Sequence, residues 1–161
     1  MESIGLLARE FGAGVLIGAG TVTSPALVGE VAGAGGRLIV MPHGDPAVIG
    51  AAEAAGLFCA PGIATPTEGF AALAAGADAL KLFPAELLGP PVLKALRSVF
   101  PRETAFLPVG GITPDNMAGF VAAGAAGFGL GSALYRPGAD PAEVGRNARA
   151  FVAAWRALET P

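Results

Sequence analysis

Ala55-Gly56-Leu57-Phe58-Cys59-Ala60-Pro61-Gly62-Ile63-Ala64-Thr65-Pro66-Thr67-Glu68 is the segment that decides how this chain is read. Its first pair marks a helix end, because glycine supplies the left-handed residue that closes a helix. Leu57 to Ala60 is a short run, apolar throughout, of the kind that forms a strand buried on both faces. Pro61-Gly62 reads as a turn. Thr65 before Pro66 opens the next helix, and Glu68, three residues past the cap, completes a capping box.

Outward from this segment the same unit recurs. Apolar runs lie at 14–17, 37–40, 79–83, 105–109 and 127–130. Ser24-Pro25, Asp45-Pro46, Thr113-Pro114 and Asp140-Pro141 place a capping side chain before a first-turn proline. Ala34-Gly35, Ala75-Gly76 and Ala123-Gly124 read as helix ends. A helix over 2–11 precedes six strand–helix units, which predicts an α/β fold with a parallel sheet. The pattern leaves two architectures open. A doubly wound sheet suits the length, whereas a (β/α)₈ barrel needs roughly 200 residues or more. In either, chemistry sits at the C-terminal ends of the strands.

Composition removes other classes. With 53% hydrophobic and 14% charged residues among 161, the chain is not disordered. The glycines have no period of three, so it is not collagen-like. The length fits one domain, residues 1–161. A net charge of -3 with no basic stripe argues against nucleic acid as a partner. Cys59, the single cysteine, reads as a small core residue and fits a reducing compartment. Met1-Glu2-Ser3-Ile4 lacks the basic start of a signal peptide. The charge-free stretches 11–29 and 116–135 approach the length of a membrane span, but their irregular glycines fit strand, loop and helix instead. The expectation is a cytoplasmic protein without membrane contact.

The residues after each run carry the functional reading. Gly18-Ala19-Gly20-Thr21 is either a tight turn or a place where backbone approaches a ligand. His43, the only histidine, is a general-base candidate or a solvated loop residue beside the cap at Asp45. Lys81 is the informative residue. It stands inside an apolar strand between Leu80 and Leu82, whereas Lys94, the other lysine, lies on a helix surface. Burial favours the neutral amine, the form that Schiff-base chemistry needs; the alternative is a lysine reaching out from an edge strand. Val109-Gly110-Gly111-Ile112-Thr113 and Gly129-Leu130-Gly131-Ser132 are glycine loops running toward helix starts, where bare N–H groups and the helix dipole favour an anion. No cluster of cysteine or histidine suggests a metal.

Gly18-Ala19-Gly20-Thr21-Val22, the run from Pro61 to Glu68, Leu80-Lys81-Leu82-Phe83-Pro84-Ala85-Glu86, Val109 to Thr113 and Gly129 to Ser132 occur in this order. Together they resemble the class I aldolases that cleave 2-keto-3-deoxy-6-phospho sugar acids, over essentially the whole chain. The resemblance implies a (β/α)₈ TIM-barrel fold, here incomplete with about six parallel strands, a homotrimer, and neither metal nor organic cofactor. It implies that Lys81 is the Schiff-base lysine and that Thr21 and Pro42 line the pyruvate and carboxylate end of the pocket. Phe83 then flanks the lysine, Val109 borders the substrate, and Gly110, Gly111, Gly131 and Ser132 grip the phosphate of a small phosphorylated keto acid.

Two branches of that family differ at C4 of the substrate. Val109 and the run Gly129-Leu130-Gly131-Ser132-Ala133-Leu134-Tyr135-Arg136-Pro137-Gly138 resemble the galactonate branch; the gluconate branch carries threonine before the glycine pair. The family opens with a strand, a helix and a second strand that bear an arginine and an acid/base glutamate, and neither motif occurs in this sequence. The expectation is therefore a longer native chain, by about 40 residues at ordinary element lengths. An aldolase of the galactonate branch, one of the gluconate branch, and a non-catalytic phosphate-binding remnant are the three functions this reading carries.

Overall fold

The helix starts and ends lie close to where the sequence puts them. A computed structural model describes residues 1–159 of the chain, which divides into two compact units, Met1–Lys81 and Leu82–Pro161.

The first unit opens with α1 (Glu2–Phe11), then a short 3-10 turn (Gly12–Gly14). It continues β1 (Gly18–Ala19), α2 (Pro25–Gly33), β2 (Leu38–Val40), α3 (Pro46–Ala54), β3 (Phe58–Ala60), β4 (Gly62–Ile63) and α4 (Pro66–Ala74). The strand β5 (Leu80–Leu82) ends it at Lys81. β1, β2 and β3 form a parallel sheet in that order, with Gly18 opposite Leu38 and Leu38 opposite Phe58. Ser24 Oγ accepts from Leu27 N–H, Asp45 Oδ1 from Ala47 N–H and Thr65 Oγ1 from Glu68 N–H, so three of the expected caps form. The expected glycine ends are left-handed, Gly56 at φ 66° and Gly76 at φ 96°. Val31, Ile39, Val48, Ile49, Ala52 and Leu80 make the core.

Two expectations in this unit need correcting. The first strand was expected at 14–17 but forms at Gly18–Ala19, inside the expected glycine turn. A Cβ at Gly18 would collide with the carbonyl of Leu38, so pairing is close where the chain has no side chain to obstruct it. Val15 and Leu16 remain exposed. Pro61-Gly62 is not a simple turn. Gly62 belongs to β4, and its backbone lies so near Pro42 that a Cβ would sit 2.5 Å from the Pro42 carbonyl oxygen.

The second unit holds α5 (Ala85–Arg97), β6 (Phe106–Pro108), α6 (Met117–Ala122) and α7 (Pro141–Glu159). α5 breaks at Gly89 (φ 67°, ψ 172°), because Pro90 and Pro91 have no N–H to continue the ladder. Leu82, Leu93, Phe106, Met117, Phe120 and Phe151 are buried. Phe128 meets Phe120 and Trp155 edge-on at 6.3 and 5.9 Å. Asp140 caps α7 through Ala142 N–H.

Three expectations change here as well. The run at 127–130 contributes only a parallel bridge between Val109 and Gly129. Thr113-Pro114 opens a turn and not a helix: Asn116 N–H donates to Thr113 O, Asn116 Oδ1 accepts from Thr113 N–H, and Asn116 Nδ2 donates to Gly111 O. That clasp closes the loop on itself and delays α6 to Met117. After Gly131 the chain makes a turn, its carbonyl accepting from Leu134 and Tyr135 N–H, and no helix follows until Pro141. The helix dipoles expected behind both glycine loops are therefore not supplied there by long helices. No helix among the described residues is long and apolar enough to cross a membrane.

Candidate active site

In the first unit, the residues just past the strands are tied side by side. Val22 N–H donates to Val40 O, Met41 N–H to Ala60 O, and Lys81 N–H to Pro61 O, at 3.2, 3.1 and 2.9 Å. Thr21, Pro42 and Gly62 thus lie beyond the C-terminal ends of β1, β2 and β3, and Lys81 lies on the adjoining strand β5. Thr21 is the one described residue other than glycine with a positive φ, 59°. A β-branched residue is strained in that region, and such strain concentrates where a side chain must be aimed.

Lys81 alternates with Leu80 and Leu82, both fully buried, so its side chain takes the opposite face of β5. It is half-buried, and loss of water around the ammonium holds its amine below the ordinary lysine value. β5 is not an edge strand. Lys81 N–H is bonded to Pro61 O, and Leu82 O accepts from Val109 N–H. The reading of Lys81 as an edge residue fails on those two bonds.

The neighbouring groups have other work. Glu68 Oε2 accepts from Ala64 N–H, Thr65 N–H and Thr65 Oγ1, at 2.8 to 2.9 Å, and these bonds hold its carboxyl below the usual range. Cys59 is buried with Sγ 3.7 Å from Met41 Sδ; burial, with a smaller push from the Asp78 carboxylate, raises its thiol to about 11. His43 is exposed in a bend before Asp45. Among the described residues no three His, Cys, Asp or Glu side chains gather in a metal-binding group.

The second unit contains a cavity of about 390 Å³ between loop 109–113 and loop 129–133, walled also by Phe83 and Glu86. It brings together Phe83, Val109, Gly110, Gly111, Gly131 and Ser132. Among the described residues nothing accepts from the N–H groups of Gly111, Gly131 or Ser132. Unpaired N–H donors around a cavity are what an anionic group needs. Gly110 and Gly111 are left-handed, at φ 104° and 65°. Gly131 differs: its φ is not positive, and a Cβ there would meet nothing within 4 Å. Neither packing nor backbone demands glycine at 131, whereas a ligand lying against the main chain would.

Glu86 and Thr113 line this cavity without having been singled out from the sequence as site residues. The signal for Glu86 was available: it lies five residues past Lys81, across a tight strand-to-helix turn, in the first turn of α5.

Comparison with known proteins gives the family. Residues 1–144 match the model of the family described as KDPG and KHG aldolase. The chain is 48% identical over 146 residues to a probable 2-dehydro-3-deoxy-6-phosphogalactonate aldolase of Rhizobium meliloti (strain 1021), covering 91% of this chain and 69% of that one. It is 46% identical over 155 residues to the 2-dehydro-3-deoxy-6-phosphogalactonate aldolase of Escherichia coli (strain K12), covering 96% and 76%. A solved native KDPGal structure superposes with a TM-score of 0.95 at 46% identity, over 97% of this chain and 76% of that one. With parallel strands, the ordered motifs and a family model matched over most of its length, the chain belongs to the KDPG and KHG aldolase family.

Proposed function

We propose that this chain is a class I aldolase that reversibly cleaves 2-dehydro-3-deoxy-6-phosphogalactonate to pyruvate and glyceraldehyde 3-phosphate. The observation that carries the reading is Lys81: a half-buried amine on a central strand, held below its ordinary basicity by desolvation. The neutral amine attacks the C2 ketone, and loss of water leaves an iminium. As the C4 hydroxyl gives up its proton to solvent water, the C3–C4 electron pair flows into the iminium, which becomes an enamine. Glyceraldehyde 3-phosphate departs. Protonation at C3 and hydrolysis then return Lys81 and release pyruvate.

In this reading Thr21 and Pro42 line the pyruvate end. Gly110, with the N–H groups of Gly111, Gly131 and Ser132, holds the phosphate and so orients the breaking bond. Phe83 and Val109 border the carbon chain of the substrate. One domain over residues 1–161 is proposed to carry the activity, in a cytoplasmic homotrimer that needs no cofactor.

The names of the two relatives and Val109 favour the galactonate series. Pyruvate release from the two C4 epimers tests this: the galactonate substrate should show the higher kcat/KM. Val109→Thr, nearly isosteric, should narrow the ratio. Preference for the gluconate epimer would move the chain to the other branch, and phosphate-ligand binding without turnover would make it a binding remnant.

A further inference from the structure

Glu86 is out of place in a pocket built for a phosphate. Its side chain lies on the two left-handed glycines: a Cβ at Gly110 would collide with Glu86 Oε2, and one at Gly111 would sit 2.6 Å from Glu86 Cβ. The paired glycines therefore leave room for this carboxylate as well as for a turn. It does not cap α5, whose N-cap Pro84 has no side-chain bond, and among the described residues it has no hydrogen-bond or ion-pair partner. A carboxylate repels phosphate oxygens, yet it accepts hydrogen bonds from hydroxyl groups. The cavity thus offers donors on its glycine loops and an acceptor on α5. A ligand that satisfies both carries an anion and a hydroxyl on one short chain.

We infer that Glu86 is a specificity-determining residue that accepts a hydrogen bond from a hydroxyl of the phosphorylated three-carbon half of the substrate. This rests on the aldolase reading for the identity of that half, but its evidence is the cavity of the second unit alone. Glu86, exposed to water in the free protein, favours hydroxylated phospho-compounds over alkyl phosphates, because an alkyl chain that displaces that water leaves the acceptor unpaired.

Calorimetric binding of sn-glycerol 3-phosphate and of n-propyl phosphate, which has the same carbon chain without hydroxyls, tests the inference. The unaltered protein should bind the glycerol ester about tenfold more tightly. Glu86→Ala should bring the ratio near one without weakening propyl phosphate. Glu86→Gln, which keeps an acceptor oxygen and the side-chain volume, should keep part of the preference and serves if the alanine variant does not fold. A ratio of one in the unaltered protein, a ratio that Glu86→Ala leaves unchanged, or failure of both esters to bind overturns it. Borohydride trapping of pyruvate on Lys81 is run alongside. If trapping fails while the ratio responds to Glu86, the aldolase reading falls and the role of Glu86 stands.

Discussion

Lys81 shows how one residue type in one context carries a functional argument. A lysine between leucines on a paired strand loses water from its ammonium, and the lowered amine follows from that. Because its folded value lies below the unfolded one, the unfolded chain binds more protons in between. Stability therefore rises with pH through that window, and Lys81 opposes folding at neutral pH. Lys81→Met should raise the thermal midpoint near pH 7 while abolishing turnover, which calorimetry and a pyruvate assay would show together. Turnover in the unaltered enzyme should rise with pH as the amine loses its proton, with a midpoint below that of an ordinary lysine. Cys59 gives the opposite case. With its thiol pushed up to about 11 in the core, it should resist iodoacetamide at pH 8 in the folded protein and react promptly in urea. Gly131→Ala should leave the urea midpoint unchanged or slightly higher, by about 0.4–1 kcal/mol in stability, yet weaken phosphate-ester binding.

At the scale of elements, the helix ends were the most legible feature. A capping side chain, a first-turn proline and a terminal glycine are local chemistry, so Ser24, Asp45 and Thr65 cap where the residues alone put them. Thr65→Ala should cost about 1 kcal/mol in urea denaturation. The loss should shrink in acid as Glu68, whose folded carboxyl is held low, takes up a proton and releases its bonds to Ala64 and Thr65. The strands were less legible because their limits depend on a partner. β1 forms at Gly18 because the neighbouring backbone comes close there, and β4 forms because Lys81 reaches Pro61. Thr113 did not cap because the chain after it makes a turn first, with Asn116 N–H bonded to Thr113 O, and the helix starts only at Met117. The site divides in the same way. The lysine and the glycine loops stood out by residue type, whereas Glu86 needed the turn at Pro84 to bring it beside Gly110.

At the scale of the molecule, α1 buries none of its residues, and Leu6, Leu7, Phe11, Val15 and Leu16 are exposed. Exposed apolar side chains of this kind favour association. Leu7→Gln should change stability by no more than about 0.5 kcal/mol and reduce light scattering on concentration. The proposed chemistry lies on β5, at Lys81. The most direct test is therefore incubation of the 161-residue chain with pyruvate and borohydride, followed by intact mass and peptide mapping. One covalent adduct is expected, on the peptide containing Lys81, and none in Lys81→Met. A folded chain that takes no adduct, or one that takes it on Lys94, contradicts the assignment of Lys81.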